Sequence, residues 1–325
     1  MSLNAPTVAI IIGLAHLAVV AGQTSGLQRL LDAELARFPG RAGVWVKQLS
    51  TGEEAAVRGD ETFNSASVIK LPVLILAFQL ADQKKLSLDE RLTIRQEDIR
   101  GGSGIFRYHD LGLQPTWRDV LMQMVITSDN TATDLAIAKV GGVARVNAWL
   151  KESPYADGTR LTQTTGELFA KYAALPQGAS NEKTNGDREY WLGEMTPRAT
   201  GRLIEAIQRQ TAASPTACEE MIRMMRRQQA GSRRLPHFLD VAVAHKTGDF
   251  PPVLANDVGV AFARSGPIVI SFFAHAITGP YGEAEDRIGR AAQLIVQYFD
   301  GARSPEQEAA RTPRTGRSWA SRGSE

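Results

Sequence analysis

Strand-like segments cluster at the two ends of this 325-residue chain and give way to helical patterning between them. No other feature constrains the fold as much. Ala42 to Leu49 (AGVWVKQL) alternates, and Ser50-Thr51-Gly52-Glu53 turns it into Glu54 to Arg58, which predicts a hairpin. Val241 to His245, Asp257 to Ala263 and Ile268 to Ala276 read as three further strands, punctuated by Gly259 and an Arg264-Ser265-Gly266-Pro267 turn. Gly26 to Phe38 carries leucines at 27, 30, 31 and 35, and Glu283 to Phe299 returns to a helical period. Strands from opposite ends of a chain satisfy their backbone groups by meeting in one sheet. The expected fold class is therefore α/β plus all-α. An antiparallel sheet is flanked by the N- and C-terminal helices, and the helical stretch from about Ser65 to Arg145 forms a second lobe.

The expected boundaries are a domain over 23–300, with a sheet lobe (23–62 and 200–300) and a helical lobe (63–199). Residues 301–325 are polar and lack a core pattern, so they read as a disordered tail. That tail holds five Arg against three Glu, which accounts for the whole net charge of +2. The body is then close to neutral, which argues against nucleic acid or another polyanion as a partner. Val8 to Ala21 is an apolar run of 14 residues, short for a membrane span and normal for the core of a secretory leader. Residues 1–22 are thus expected to be a signal peptide cleaved after Ala21 or Gly22, although the first seven residues carry no Lys or Arg. The mature chain is expected in the periplasm or outside the cell, without stable membrane insertion and as a monomer.

Three short strings carry chemistry: Ser67-Val68-Ile69-Lys70, Ser128-Asp129-Asn130 and Lys246-Thr247-Gly248. Alone each is weak. A chain of this length should hold about one S-x-x-K by accident, and Ser180-Asn181-Glu182-Lys183 is a second match in a polar stretch. The ordered set is far more specific. Ser67 follows Asn64-Ser65, a good capping pair, and precedes a buried apolar run, so it falls in a first helical turn with an unpartnered N–H. Lys70 lies one turn on, on the same face, where its amine can reach the Ser67 hydroxyl. A serine needs a base to become a nucleophile, and a lysine serves if burial and a second cation, here Lys246, hold it neutral. Pro72 leaves the Val68 carbonyl without its helical partner.

Ser128 then supplies a proton relay to a leaving nitrogen, Asn130 hydrogen-bonds an amide of the substrate, and Asp129 braces the turn. Lys246-Thr247-Gly248 ends the strand that begins at Val241. There Gly248 lets a substrate lie against the strand edge, and Lys246 and Thr247 bind a carboxylate. The N–H groups of Ser67 and Asp249 form the expected oxyanion hole. Cys218 is the only cysteine, excludes an internal disulfide and reads as a structural thiol on an amphipathic helix. Histidines 16, 109, 237, 245 and 275 are scattered, and no H-x-x-x-H, C-x-x-C or GKS/GKT string is present, so no metal or cofactor is expected.

With these strings the chain resembles the serine β-lactamase and penicillin-binding protein superfamily, and most of all the class A β-lactamases. The resemblance runs from about Leu27 to Asp300 and is strongest over Met124 to Gly142 (MVITSDNTATDLAIAKVGG). It implies acylation of Ser67 and a β-lactam or D-alanyl peptide as the small-molecule substrate. The alternatives on the same scaffold are a D,D-peptidase or esterase, or a slowly deacylating penicillin-binding protein.

Two departures stand out. In class A enzymes an Ω-loop glutamate, with an asparagine four residues on, positions the deacylating water. Here the matching segment, Thr159 to Pro197, is about fifteen residues longer, a length judged against the resemblance alone. Laying Thr165-Gly166-Glu167-Leu168-Phe169 on that motif puts Thr165 and Phe169 in the two places. Glu167 is the nearest catalytic candidate, and Glu182, Glu189 and Glu194 stay open beside it. The second departure is Asp249, where relatives carry a small residue: its charge repels a substrate carboxylate unless it turns away. No arginine stands between Gly248 and Gly259, which leaves Arg264, Arg287 or Arg290 for that role.

Overall fold

The structure is a computed structural model that describes residues 25–154 and 158–301. The expected signal peptide over 1–22 and the expected tail, apart from Gly301, lie outside the described residues.

The chain opens with α1 (Gly26–Leu35), whose N-cap Ser25 accepts a hydrogen bond from the Gln28 N–H. The expected hairpin follows as β1 (Arg41–Gln48) and β2 (Glu54–Val57), then a short β3 (Phe63–Asn64). The helical lobe holds α2 (Lys70–Asp82), α3 (Trp117–Ile126), α4 (Asn130–Lys139) and α5 (Gly142–Glu152). Next come β4 (Arg160–Leu161), α6 (Thr165–Ala173), α7 (Ser180–Gly186) and β5 (Gly193–Met195). The chain closes with α8 (Pro197–Gln208), α9 (Pro215–Met225), β6 (Val243–Phe250), β7 (Leu254–Ala263), β8 (Gly266–His275) and α10 (Tyr281–Gly301).

Strands from the two ends do form one antiparallel sheet, in the order β2-β1-β8-β7-β6. Both faces of this sheet are covered. Val44 and Val46 point toward α1 and α10, joining Leu27, Leu31, Ile288 and Ile295, while Trp45 between them packs into the larger core with α2 and α8. The two-residue period of a strand puts neighbours on opposite faces, so Phe272 and Phe273 likewise serve different cores. Gly201 of α8 sits against the Trp45 ring so closely that a Cβ there would lie 2.0 Å from it.

Period and register decide which side chains of β6 meet the helical lobe. Ala244, opposite Val260, belongs to the core on the α2 side, so Lys246 and Gly248 share that face. His245, Thr247 and Asp249 take the other. The strand runs on to Phe250, so Lys246-Thr247-Gly248 lies inside β6 and not at its end, contrary to the expectation. As the last strand in the order, β6 presents a free edge.

The segment from 159 to 197 is more ordered than its polar sequence suggests. It contains α6 and α7, and its β4 and β5 join β3 in a small sheet, β3-β5-β4, that ties both its ends to the residues just before Ser67. The Ser65 N–H donates to the Gly193 carbonyl at 2.9 Å.

Candidate active site

Ser67 lies on a 3₁₀ turn, Ala66–Ile69, that runs straight into α2. The cap of this turn is Asn64 and not Ser65: Asn64 Oδ1 accepts from the Ala66 N–H at 3.0 Å. Ala66 has φ +41, a left-handed conformation that costs a non-glycine residue on the order of 1 kcal/mol and sharpens the turn. The 3₁₀ start also accounts for Pro72. It falls in the first turn of α2, and the Val68 carbonyl is met by the Lys70 N–H instead.

The expected contact between Lys70 and the Ser67 hydroxyl is absent among the described residues. Lys70 is buried, and its amine donates to the Ser128 carbonyl at 2.7 Å, meets the Ser128 hydroxyl at 3.1 Å and donates to Asn130 Oδ1 at 3.0 Å. Lys246, also buried, reaches the same Ser128 hydroxyl at 3.0 Å and its own chain at the Thr247 carbonyl, 2.8 Å away. Ser128 therefore sits between two lysine amines. It too has a left-handed backbone, φ +54, which turns its side chain toward them.

Two buried ammonium groups this close disfavour each other. Burial first, and then the Lys246 charge, push the Lys70 amine well below the ordinary lysine range. Burial lowers Lys246 to about 8, against the opposing pull of Asp249 and Asp257. Protonated, Lys70 donates to all three acceptors; deprotonated, it keeps two N–H groups for the Ser128 carbonyl and Asn130 Oδ1 and a lone pair for the Ser128 O–H. Lys246, still charged at neutral pH, donates to the oxygen of that hydroxyl.

Asp129 caps α4 through the Ala132 N–H and also holds the 101–106 loop, accepting from the N–H groups of Ile105 (2.7 Å) and Phe106 (2.8 Å). Asn130 gives one amide hydrogen to the Gly101 carbonyl at 2.9 Å, which leaves it one N–H and one lone pair for a substrate. Gly248 lies directly against the nucleophile's turn. A Cβ there would stand 2.6 Å from the Ser65 carbonyl and 3.1 Å from the Ser67 nitrogen. This approach carries the N–H of Ser67 and the backbone of Asp249 into one cleft.

That cleft is lined by Ser67, Ser103, Asn130, Thr165 and Asp249, with an aromatic wall of Phe169, Tyr172, Tyr190 and Phe250. The Tyr172 and Phe250 rings stack at 4.7 Å, joining α6 to the end of β6. Lys70, Ser128 and Lys246 form the buried layer behind the cleft. Thr247 does not line it: the residue is wholly buried on the other face of β6, and its hydroxyl has no hydrogen-bond partner among the described residues.

Glu167 requires correction. It is exposed and completes the capping box of α6, accepting from the Thr164 N–H at 2.8 Å and the Thr164 hydroxyl at 2.9 Å. These bonds hold its carboxyl below the usual range. Glu182 and Glu189 are exposed and Glu194 pairs with Arg188, so none of the four candidate glutamates lines the cleft. The second S-x-x-K match is local: Lys183 pairs with Asp187 on α7.

Arg264, Arg287 and Arg290 are exposed and do not line the cleft either. The arginine that matters near Asp249 is Arg234, which the sequence reading missed. It is buried, bonds the Asp249 carboxylate, the Asn256 carbonyl (2.9 Å) and Glu285 (3.0 Å), and so neutralises the charge expected to repel a substrate carboxylate. Cys218 is buried on α9, with its thiol pushed up by burial.

A serine on a strained turn, a buried lysine one turn on whose proton affinity is lowered and a hydroxyl bridging to a second lysine define a serine hydrolase that works through an acyl-enzyme. The model of the beta-lactamase enzyme family matches residues 26–299, and the chain belongs to that family. Beta-lactamase L2 of Stenotrophomonas maltophilia is 33% identical over 112 residues, 34% of this chain and 37% of that protein. Beta-lactamase CTX-M-97 of Escherichia coli is 24% identical over 289 residues, 87% of this chain and 92% of that protein. The solved structure of an ancestral class A β-lactamase superposes with a TM-score of 0.73 at 27% identity, covering 84% of this chain and all of that one.

Proposed function

We propose that the enzyme opens the amide bond of a β-lactam through an acyl-enzyme on Ser67. Ser67 Oγ attacks the carbonyl carbon as its proton passes to the neutral Lys70 amine. The Ser128 hydroxyl gives its proton to the departing ring nitrogen and is resupplied from Lys70. The Lys246 ammonium holds the Ser128 oxygen and attracts the substrate carboxylate, and the backbone N–H groups of Ser67 and Asp249 bind the oxyanion. Water then cleaves the ester. The observation that carries this reading is the Ser128 hydroxyl held between two buried lysine amines beside the nucleophile's cleft.

A second reading, a D,D-peptidase or a penicillin-binding protein that deacylates slowly, draws on the lack of a cleft-lining glutamate among the described residues. One experiment separates the two. Purified protein is mixed with a chromogenic cephalosporin, and turnover is followed with the mass of the intact chain. Many turnovers with a transient adduct support the hydrolase; a lasting adduct on Ser67 supports the second reading; the absence of both overturns acylation of β-lactams.

We also propose that the enzyme is exported and acts as a monomer in the periplasm or outside the cell. The apolar run Val8 to Ala21 supports export. Among the described residues no helix is long and apolar enough to cross a membrane.

A further inference from the structure

We propose that Thr165, oriented by Asp134, takes the proton from the water that cleaves the acyl-enzyme. The proposal rests on the acyl-enzyme reading and names the base for its second half. Thr165 opens α6 and lines the cleft together with Ser67 and Asn130. Its hydroxyl lies 2.8 Å from Asp134 Oδ1 and 3.2 Å from the Asn130 carbonyl. Both neighbours are acceptors and a hydroxyl has one hydrogen to give, so the hydrogen goes to the closer, charged carboxylate. The lone pairs of Thr165 Oγ1 then remain to accept a hydrogen bond from a water in the cleft.

Asp134 is held so that only one oxygen faces the threonine. Its Oδ2 accepts from the Gly166 N–H at 2.9 Å and from Arg100 Nε at 2.7 Å. Its Oδ1 takes the Thr165 N–H at 2.7 Å and the Thr165 hydroxyl. Asp134 stands one helical turn after Asn130 on α4, on the same face, and Asn130 in turn touches Lys70. The carboxylate is buried behind Thr165 and does not itself line the cleft, so it reaches a cleft water only through that hydroxyl.

The step balances without a further reactant. The water oxygen bonds to the acyl carbon while a water proton moves to Thr165 Oγ1 and the threonine proton moves to Asp134 Oδ1. The tetrahedral intermediate collapses, the bond from carbon to Ser67 Oγ breaks, and the proton held on Asp134 returns through Thr165 and a cleft water to the serine oxygen. The product gives its remaining acid proton to bulk water and leaves as a carboxylate, and Lys70 stays neutral throughout. Thr165 is then a catalytic residue and Asp134 a positioning residue that acts through it.

Rapid-quench mass spectrometry of the full chain with a cephalosporin tests this, with acylation and deacylation rates measured separately. Thr165→Val and Thr165→Ala both remove the hydroxyl, so one remains informative if the other does not fold. Each should still form the Ser67 adduct and lose it about 100-fold more slowly, the size of a general-base contribution. Thr165→Ser should restore release. Asp134→Asn should slow release while the adduct still forms. Release at the wild-type rate in the Val or Ala variant overturns the proposal. A Ser variant as slow as Val does so too, since only shape would then matter. A wild-type protein that is acylated and never turns over overturns the relay and leaves acylation standing. A wild type with no adduct overturns the acyl-enzyme reading itself.

Discussion

The Lys246 amine donates a 3.0 Å hydrogen bond to the Ser128 hydroxyl across 118 residues of sequence, joining the edge strand of the sheet to the start of α4 in the helical lobe. Lys70 meets the same hydroxyl from α2. The catalytic layer is thus a seam between lobes.

Ser67→Ala removes the nucleophile from a turn whose cap is made by Asn64. Covalent labelling by a β-lactam should vanish while the melting temperature stays within a few degrees of wild type. A large fall in melting temperature would mean that Ser67 is mainly structural.

Lys246 sets the alkaline limit. Its amine loses a proton at about 8, and with it the charge that holds Ser128 and attracts a carboxylate. The acylation rate, read as kcat/KM for a cephalosporin, should hold at neutral pH and fall as pH rises through about 8. Lys246→Met should lower that rate at neutral pH and abolish the alkaline fall. An unchanged profile in the Met variant would assign the titration to another group.

Gly248→Ala tests the approach of β6 to the nucleophile. The added Cβ would lie 2.6 Å from the Ser65 carbonyl, which is backbone and yields only if the turn or the strand moves. A displacement of that kind near the reacting atoms should lower acylation at least about 10-fold. The loss should appear in single-turnover acylation with little change in the denaturant midpoint. Wild-type acylation would show that the turn gives way without cost.

Glu167→Ala separates the capping role from catalysis. Losing one half of the α6 capping box should cost less than about 1 kcal/mol in urea unfolding. The rate of ester release should not change. Slower release, with acylation intact, would return Glu167 to the catalytic apparatus.

The sheet was legible because its cause is local. Ala42 to Leu49 alternates and is followed by a turn, and the three later segments do the same, so strands at 41–48, 54–57, 254–263 and 266–275 were predictable within a few residues. The end of β6 was not, because Phe250 and the residues before it carry no alternation that marks where pairing with β7 stops. Nor was the order of the 159–197 segment. Its strands of two and three residues are stabilised by Ser65, Gly193 and Arg160 meeting from distant positions, and residues so few cannot show a period.

Residue types at short spacing are a property of the chain alone, and they determined which groups carry chemistry: Ser67, Lys70, Ser128 and Lys246. Which of these groups touch was decided by tertiary structure, since it depends on the register of β6 and the turns at Ala66 and Ser128. The Ser128 hydroxyl, and not that of Ser67, is where the two lysines converge. Arg234 beneath Asp249 and Asp134 behind Thr165 were equally beyond the sequence. Arginines and aspartates are common, and a buried ion pair or hydrogen bond between distant segments leaves no periodic or local mark on either one. Only the packing that removes water from around them makes the pairing obligatory.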